Sequence, residues 1–248
     1  MLLSIAHEFV FVRAVKVGGT SVEIGLSAIC GPDDILPPMV ALEERRRQAL
    51  GVRSRNYGAS PLLEAAYDTL VRETPDENLH RVPQPPSRFS AHTPLSTVIE
   101  HYPGSLEGFT AVCLARSPYA RVLSALNMRD NYKAYTRGSD MRTDPKTWAQ
   151  AFDKHIESGW LKKMFSPDVY GDPTRRLDRF VIHYERLQDD FDAFLARLGV
   201  PDRIVLPHAK EGMMSNRFDP REVLRPDQIA TINAMFSDDF EAFGYARL

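Results

Sequence analysis

The stretch Val15-Lys16-Val17-Gly18-Gly19-Thr20-Ser21 constrains this chain more than any other. It follows an apolar run rich in Phe and Val, residues 7–15, that reads as a buried strand, and it precedes a helical segment from Val22 to Ile29. Strand, glycine turn, hydroxyl pair and helix, in that order, form a cradle for an anion. Glycines let backbone N–H groups approach such a ligand closely. The helix N-terminus contributes about half a positive charge and several N–H donors. Lys16 adds a full charge, and Thr20 and Ser21 add hydroxyl donors. The alternative is an ordinary strand-to-helix turn whose glycines only permit the bend.

The loop is not a Walker sequence, in which the lysine follows the glycines, and the chain lacks a G-x-G-x-x-G dinucleotide fingerprint. Strands at Phe109–Ala115 and Arg179–Tyr184 alternate with helices at residues 61–73, 145–158, 185–198 and 227–240. That alternation argues for an α/β fold with a parallel sheet. A short strand is expected at Phe89-Ser90-Ala91, and a helix starting at Pro94 runs through His101. The charged segment 39–50, with Glu43, Glu44, Arg45, Arg46 and Arg47, reads as an exposed helix. Along 61–73, Leu62, Leu63, Ala66 and Leu70 recur about once per helical turn.

A second anion site is expected at Arg116-Ser117-Pro118-Tyr119-Ala120-Arg121-Val122-Leu123-Ser124. Arg116 ends a strand, where open α/β sheets collect ligands. Its guanidinium can hold a phosphate through two parallel charge-assisted bonds, and the Ser124 hydroxyl can complete the cradle.

Composition excludes several classes. With 248 residues, 43% hydrophobic and 26% charged, the chain suits a globular domain with a sizeable core. A net charge of −2 gives no sign of a nucleic-acid coat or a polybasic membrane surface. Two cysteines, Cys30 and Cys113, make neither a disulfide framework nor a cysteine zinc site, and fit buried thiols in a reducing compartment. No apolar run approaches a membrane span and no signal-peptide pattern is present, so the expectation is a cytoplasmic, bacterial protein.

Together these motifs resemble the sulfotransferases that use PAPS (3′-phosphoadenosine 5′-phosphosulfate). The loop is similar to P-K-[TS]-[AG]-[GC]-T-[ST], departing at Val15 and Val17. Residues 116–124 are similar to R-[ND]-P-x-x-R-x-x-S, departing at Ser117. The segment from Phe180 through Glu185 and Leu187 to Gly199, and the ending from Asp238 to Tyr245, resemble the same family, closest to the group containing heparan sulfate 2-O-sulfotransferase and bacterial relatives.

The resemblance implies one domain over 1–248 with a P-loop-kinase-like three-layer fold and a central parallel sheet. It implies PAPS as co-substrate, no metal, and an acceptor that is a carbohydrate, lipid or small metabolite. Lys16 would meet the transferring group. Gly18, Gly19, Thr20 and Ser21 would hold the 5′-phosphate, and Arg116 with Ser124 the 3′-phosphate. A general base is also needed, and His92, between the two phosphate motifs, is the candidate, with helix packing as its competing role. Lys210 or Arg217 could close over the nucleotide. A nucleotide-dependent kinase and a non-catalytic nucleotide-binding relative are the rival readings. The acceptor-binding segments are expected at 31–88 and 133–178. Oligomeric state is not legible.

Overall fold

The computed structural model describes residues 1–136, 145–165, 168–171, 177–207 and 218–248. Lys210 and Arg217 therefore lie outside the described residues. Two compact units are distinguished. One comprises Met1–Ala14, Gly18–Leu114 and Asp168–Ala209, the other Val15–Val17, Ala115–Pro167 and Lys210–Leu248.

The first unit is built on a sheet in the order β1 (Leu2–Ser4), β2 (Phe9–Val12), β3 (Thr110–Ala115), β4 (Asp178–His183). Strands β2 (FVFV) and β3 (TAVCLA) are buried along their whole length. A continuous β-branched and aromatic run, rather than an alternating one, is what a strand covered on both faces requires. They pair in parallel, Phe9 opposite Thr110 and Val12 opposite Cys113. The sheet is not wholly parallel, because β1 folds back antiparallel on β2, with Leu2 opposite Phe11 and Ser4 opposite Phe9. The expected short strand at Phe89–Ala91 is absent. Ser90 instead donates its N–H to Thr93 Oγ1 at 2.7 Å, closing a turn. A hydroxyl three residues on competes successfully with a ladder for that backbone group.

Helices of this unit are α1 (Gly19–Ser27), α2 (Ala41–Gln48), α3 (Pro61–Glu73), α4 (Leu95–His101) and α8 (Leu187–Arg197). Phe194 of α8 stands edge-on to Phe9 of β2, ring centroids 5.4 Å apart. Ser60 caps α3 by accepting from Leu63 N–H, with Pro61 in the first turn.

Two expectations reverse here. The charged helix α2 is not a solvated face: Glu43, Glu44 and Arg47 are buried. The leucine stripe of α3 faces outward, with Leu62 79% exposed, while Tyr67 and Val71 make the packed side with Ala41 and Leu79. In α2, polar side chains that find buried partners outcompete simple patterning.

Among its described residues the second unit is helical: α5 (Pro118–Thr136), α6 (Trp148–Glu157), α7 (Trp160–Phe165), α9 (Pro220–Val223), α10 (Pro226–Met235) and α11 (Ser237–Phe243). The expected final helix is broken at Phe236, which is non-helical. Tyr119, Leu126, Trp148, Phe152, Leu161, Ile232 and Phe240 form its core. Burying each such side chain contributes about 1.5–3 kcal/mol.

Candidate functional site

The anion loop begins where β2 ends. Lys16 has φ 67° and Gly18 φ 82°, both in the left-handed region. Glycine tolerates this at no steric cost, whereas lysine carries strain of a kind that persists where surroundings enforce it. Gly18 is the N-cap of α1 and brings no side-chain acceptor to the first turn. An anion can serve as the cap in that arrangement. Side chains are excluded at both glycines: a Cβ on Gly18 would lie 2.5 Å from the Tyr184 ring, and one on Gly19 would lie 2.0 Å from Arg13 Cδ.

Beneath the loop lies a chain of buried charges. Arg13 Nε donates to Glu23 Oε2 at 2.8 Å, and Arg13 Nη1 to Thr20 Oγ1 at 3.3 Å. Arg47 Nη2 reaches the other oxygen of Glu23 at 3.3 Å, while Arg47 Nη1 donates to Glu44 at 3.1 Å and to the Pro37 carbonyl at 3.0 Å. Desolvation pushes the Glu23 carboxyl upward, but the Met1 ammonium, Arg13 and Arg47 outweigh it and hold the group below the ordinary range.

His92 joins this system through the backbone. Its Nδ1 lies 3.1 Å from the Arg13 carbonyl oxygen. A carbonyl only accepts, so Nδ1 carries the proton and Nε2 carries the lone pair. The residue as a whole is exposed, so water reaches part of the ring. Its packed edge is desolvated, and that, followed by the Arg13 guanidinium, lowers its pKa below the usual histidine value. The imidazole is therefore neutral near pH 7.

In the second unit, Arg116 is buried, and its Nη1 donates to the Lys16 carbonyl at 2.9 Å. The two basic residues of separate sequence motifs are thereby joined by one bond. Ser124 is buried on α5, six residues beyond Pro118 at the helix start. Arg121, from the same motif, has a different setting. Its guanidinium pairs with Asp239 and lies over the rings of Phe165 and Phe236, 5.2 and 5.0 Å from their centroids. The motif therefore combines a strand-end arginine with a core arginine that ties α5 to the Asp238–Tyr245 segment.

A model of the sulfotransferase family matches residues 2–246. The chain belongs to the sulfotransferase family. The match covers the glycine loop, the 116–124 motif and the terminal segment alike. No curated protein matches the chain significantly. Family membership makes this a transferase. No helix among the described residues is long and apolar enough to cross a membrane, and no group of three potential metal ligands occurs among them.

Four further residues, Tyr170, Tyr184, Arg13 and Glu23, touch this framework. Tyr170 bridges the ends of β2 and β3: its hydroxyl accepts from Ala14 N–H at 2.9 Å and donates to the Leu114 carbonyl. Tyr184 covers Gly18. Arg13 and its partner Glu23 read in sequence only as a strand end and a helix position. His183 pairs with Asp190 at 3.1 Å at the β4–α8 turn, a local structural role, and Glu185 beside it is exposed. His101 is exposed on α4.

Proposed function

We propose that this chain moves a sulfuryl group from PAPS to an acceptor hydroxyl, on a carbohydrate or small metabolite, and releases PAP (3′-phosphoadenosine 5′-phosphate). The observation that carries this reading is the Arg116–Lys16 bond. It links the residue suited to a 3′-phosphate with the residue suited to the transferring group. The donor set also fits the nucleotide: N–H groups at a glycine turn, hydroxyls of Thr20 and Ser21, and a buried guanidinium, all of them donors to anionic oxygens.

PAPS, when bound, supplies an activated sulfuryl group and a phosphate leaving group. Lys16 neutralises charge developing at the bridging oxygen, an interaction stronger in the transition state than in the ground state. Gly18 and Gly19 keep side chains out of the loop, and with Thr20 and Ser21 they hold the 5′-phosphate. Arg116 and Ser124 hold the 3′-phosphate and so select PAP over AMP. His92 accepts the acceptor's proton at Nε2, while the Arg13 carbonyl keeps the proton on Nδ1. Such help is worth roughly 10²–10⁴-fold in rate. A single domain over 1–248 with a P-loop-kinase-like layered sheet is the architecture this reading expects.

The test is to incubate the protein with PAPS and a panel of hydroxylic acceptors and to follow PAP release. Acceptor-dependent release that disappears in Lys16→Met supports the reading. Phosphoryl transfer from ATP–Mg²⁺, or no turnover across the panel with either donor, overturns it.

A further inference from the structure

Arg13 follows β2 and turns its side chain onto α1. Its Cδ occupies the space that a Gly19 side chain would need, Nη1 donates to Thr20, and Nε donates to Glu23. These are successive attachments along the first turns of one helix. Its backbone carbonyl meanwhile takes the Nδ1 proton of His92. No other described residue is bonded to both the loop hydroxyl and the candidate base.

We propose that Arg13 is a positioning residue for both halves of the reaction: its guanidinium aims the Thr20 hydroxyl at the 5′-phosphate, and its carbonyl fixes His92 with the accepting lone pair on Nε2. This rests on the sulfotransferase reading above. The first half follows from hydroxyl chemistry. A threonine oxygen that accepts from a guanidinium has its own proton left to donate elsewhere, and the accepted bond polarises O–H and strengthens that donation. The second half follows from the tautomer argument. Glu23 and Arg47 complete the arrangement by holding the guanidinium in place from behind. Lysine cannot substitute, since Glu23 and Thr20 are held by two different nitrogens of one rigid fork.

The experiment is a double-mutant cycle on PAP affinity, by calorimetry, with wild type, Arg13→Lys, Thr20→Val and the double variant. Arg13→Lys and Thr20→Val are each expected to weaken PAP about tenfold, as loss of one charge-assisted contact does. The double variant is expected to bind no worse than Thr20→Val alone. Additive losses, or unchanged affinity in Arg13→Lys, overturn the first half while leaving wild-type PAP binding intact. A wild type that does not bind PAP overturns the proposed function and this inference with it. The second half is read on unsubstituted protein, so it survives any failure of a variant to fold. Imidazole ¹⁵N spectra of His92 are expected to show the Nδ1–H tautomer, and an Nε2–H tautomer overturns it.

Discussion

Replacing Arg47 by methionine tests whether the charge chain beneath the loop is as dry as its geometry indicates. The Arg47 side chain is 0% exposed, and so is that of Glu23, with Glu44 at 1%. Methionine fills much of the aliphatic volume, so the change removes three bonds, at 3.0, 3.1 and 3.3 Å, more than it removes packing. Glu44 keeps the N–H groups of Ser54 at 2.8 Å and Met39 at 3.1 Å, and Glu23 keeps Arg13. One buried positive charge is nevertheless gone from between two buried carboxylates. Breaking a buried pair from one side costs about 3–5 kcal/mol.

Arg47 Nε has no hydrogen-bond partner among the described residues, so wild type already bears part of a desolvation cost, which places the expected loss toward the lower end, about 3 kcal/mol. The assay is urea denaturation followed by far-UV circular dichroism. Fluorescence is unsuitable because both tryptophans, Trp148 and Trp160, belong to the helical unit. The pH dependence has a defined sign. In the variant Glu23 loses one of the cations that hold its pKa below the ordinary range, so its folded pKa rises and its protonation costs the folded form less. The deficit relative to wild type should therefore shrink as pH falls through the carboxylate range. A loss below about 1 kcal/mol, the size of an exposed pair, would refute the buried-network account.

Gly18→Ala should cost about 1–2 kcal/mol from its left-handed backbone, plus displacement of Tyr184, and should weaken PAP binding measured by calorimetry; unchanged affinity would contradict the cradle. The pH profile of kcat/KM should stay flat down through about 6.5, the ordinary histidine value, and fall only below it, because the lowered pKa keeps His92 neutral and able to accept a proton; an acid limb at or above that value would count against it. The same shift makes the folded state lose stability as pH falls below the unfolded-state value toward the lower folded one, a trend that His92→Gln should reduce in urea titrations. Asp239→Ala should destabilise by about 1–3 kcal/mol, since it strips the buried Arg121 of its partner, yet leave the preference of PAP over AMP intact; a lost preference would move Arg121 from the core into the site.

What was legible in the sequence was mostly local. Phe9–Val12 and Thr110–Ala115 announce buried strands because every side chain in them is apolar or small, and Gly18 announces the left-handed turn it makes. Pro118 marks the start of α5 for the same reason, a single residue with a single preferred place. Relations between distant segments were not legible. Glu44 and Arg47 look like a solvated helix face until Glu23 and Pro37 are seen beside them. Leu62 and Leu70 look like a core stripe until Tyr67 and Val71 are found on the packed side. His92 was singled out by its place between two motifs, but its tautomer depends on a carbonyl 79 positions away in the chain. The antiparallel β1 is too short to carry a periodic signal.

Calorimetric binding of PAP, AMP and ATP–Mg²⁺ to wild type and to Arg116→Ala tests whether Arg116 and the Lys16 loop bind one phosphorylated nucleotide. Wild type is expected to prefer PAP to AMP, and Arg116→Ala to lose about 30-fold or more in PAP affinity, since truncating one side of a buried charge contact costs at least about 2 kcal/mol, while AMP binding changes less. Indifference to the 3′-phosphate in wild type, or a preference for ATP–Mg²⁺, would contradict it.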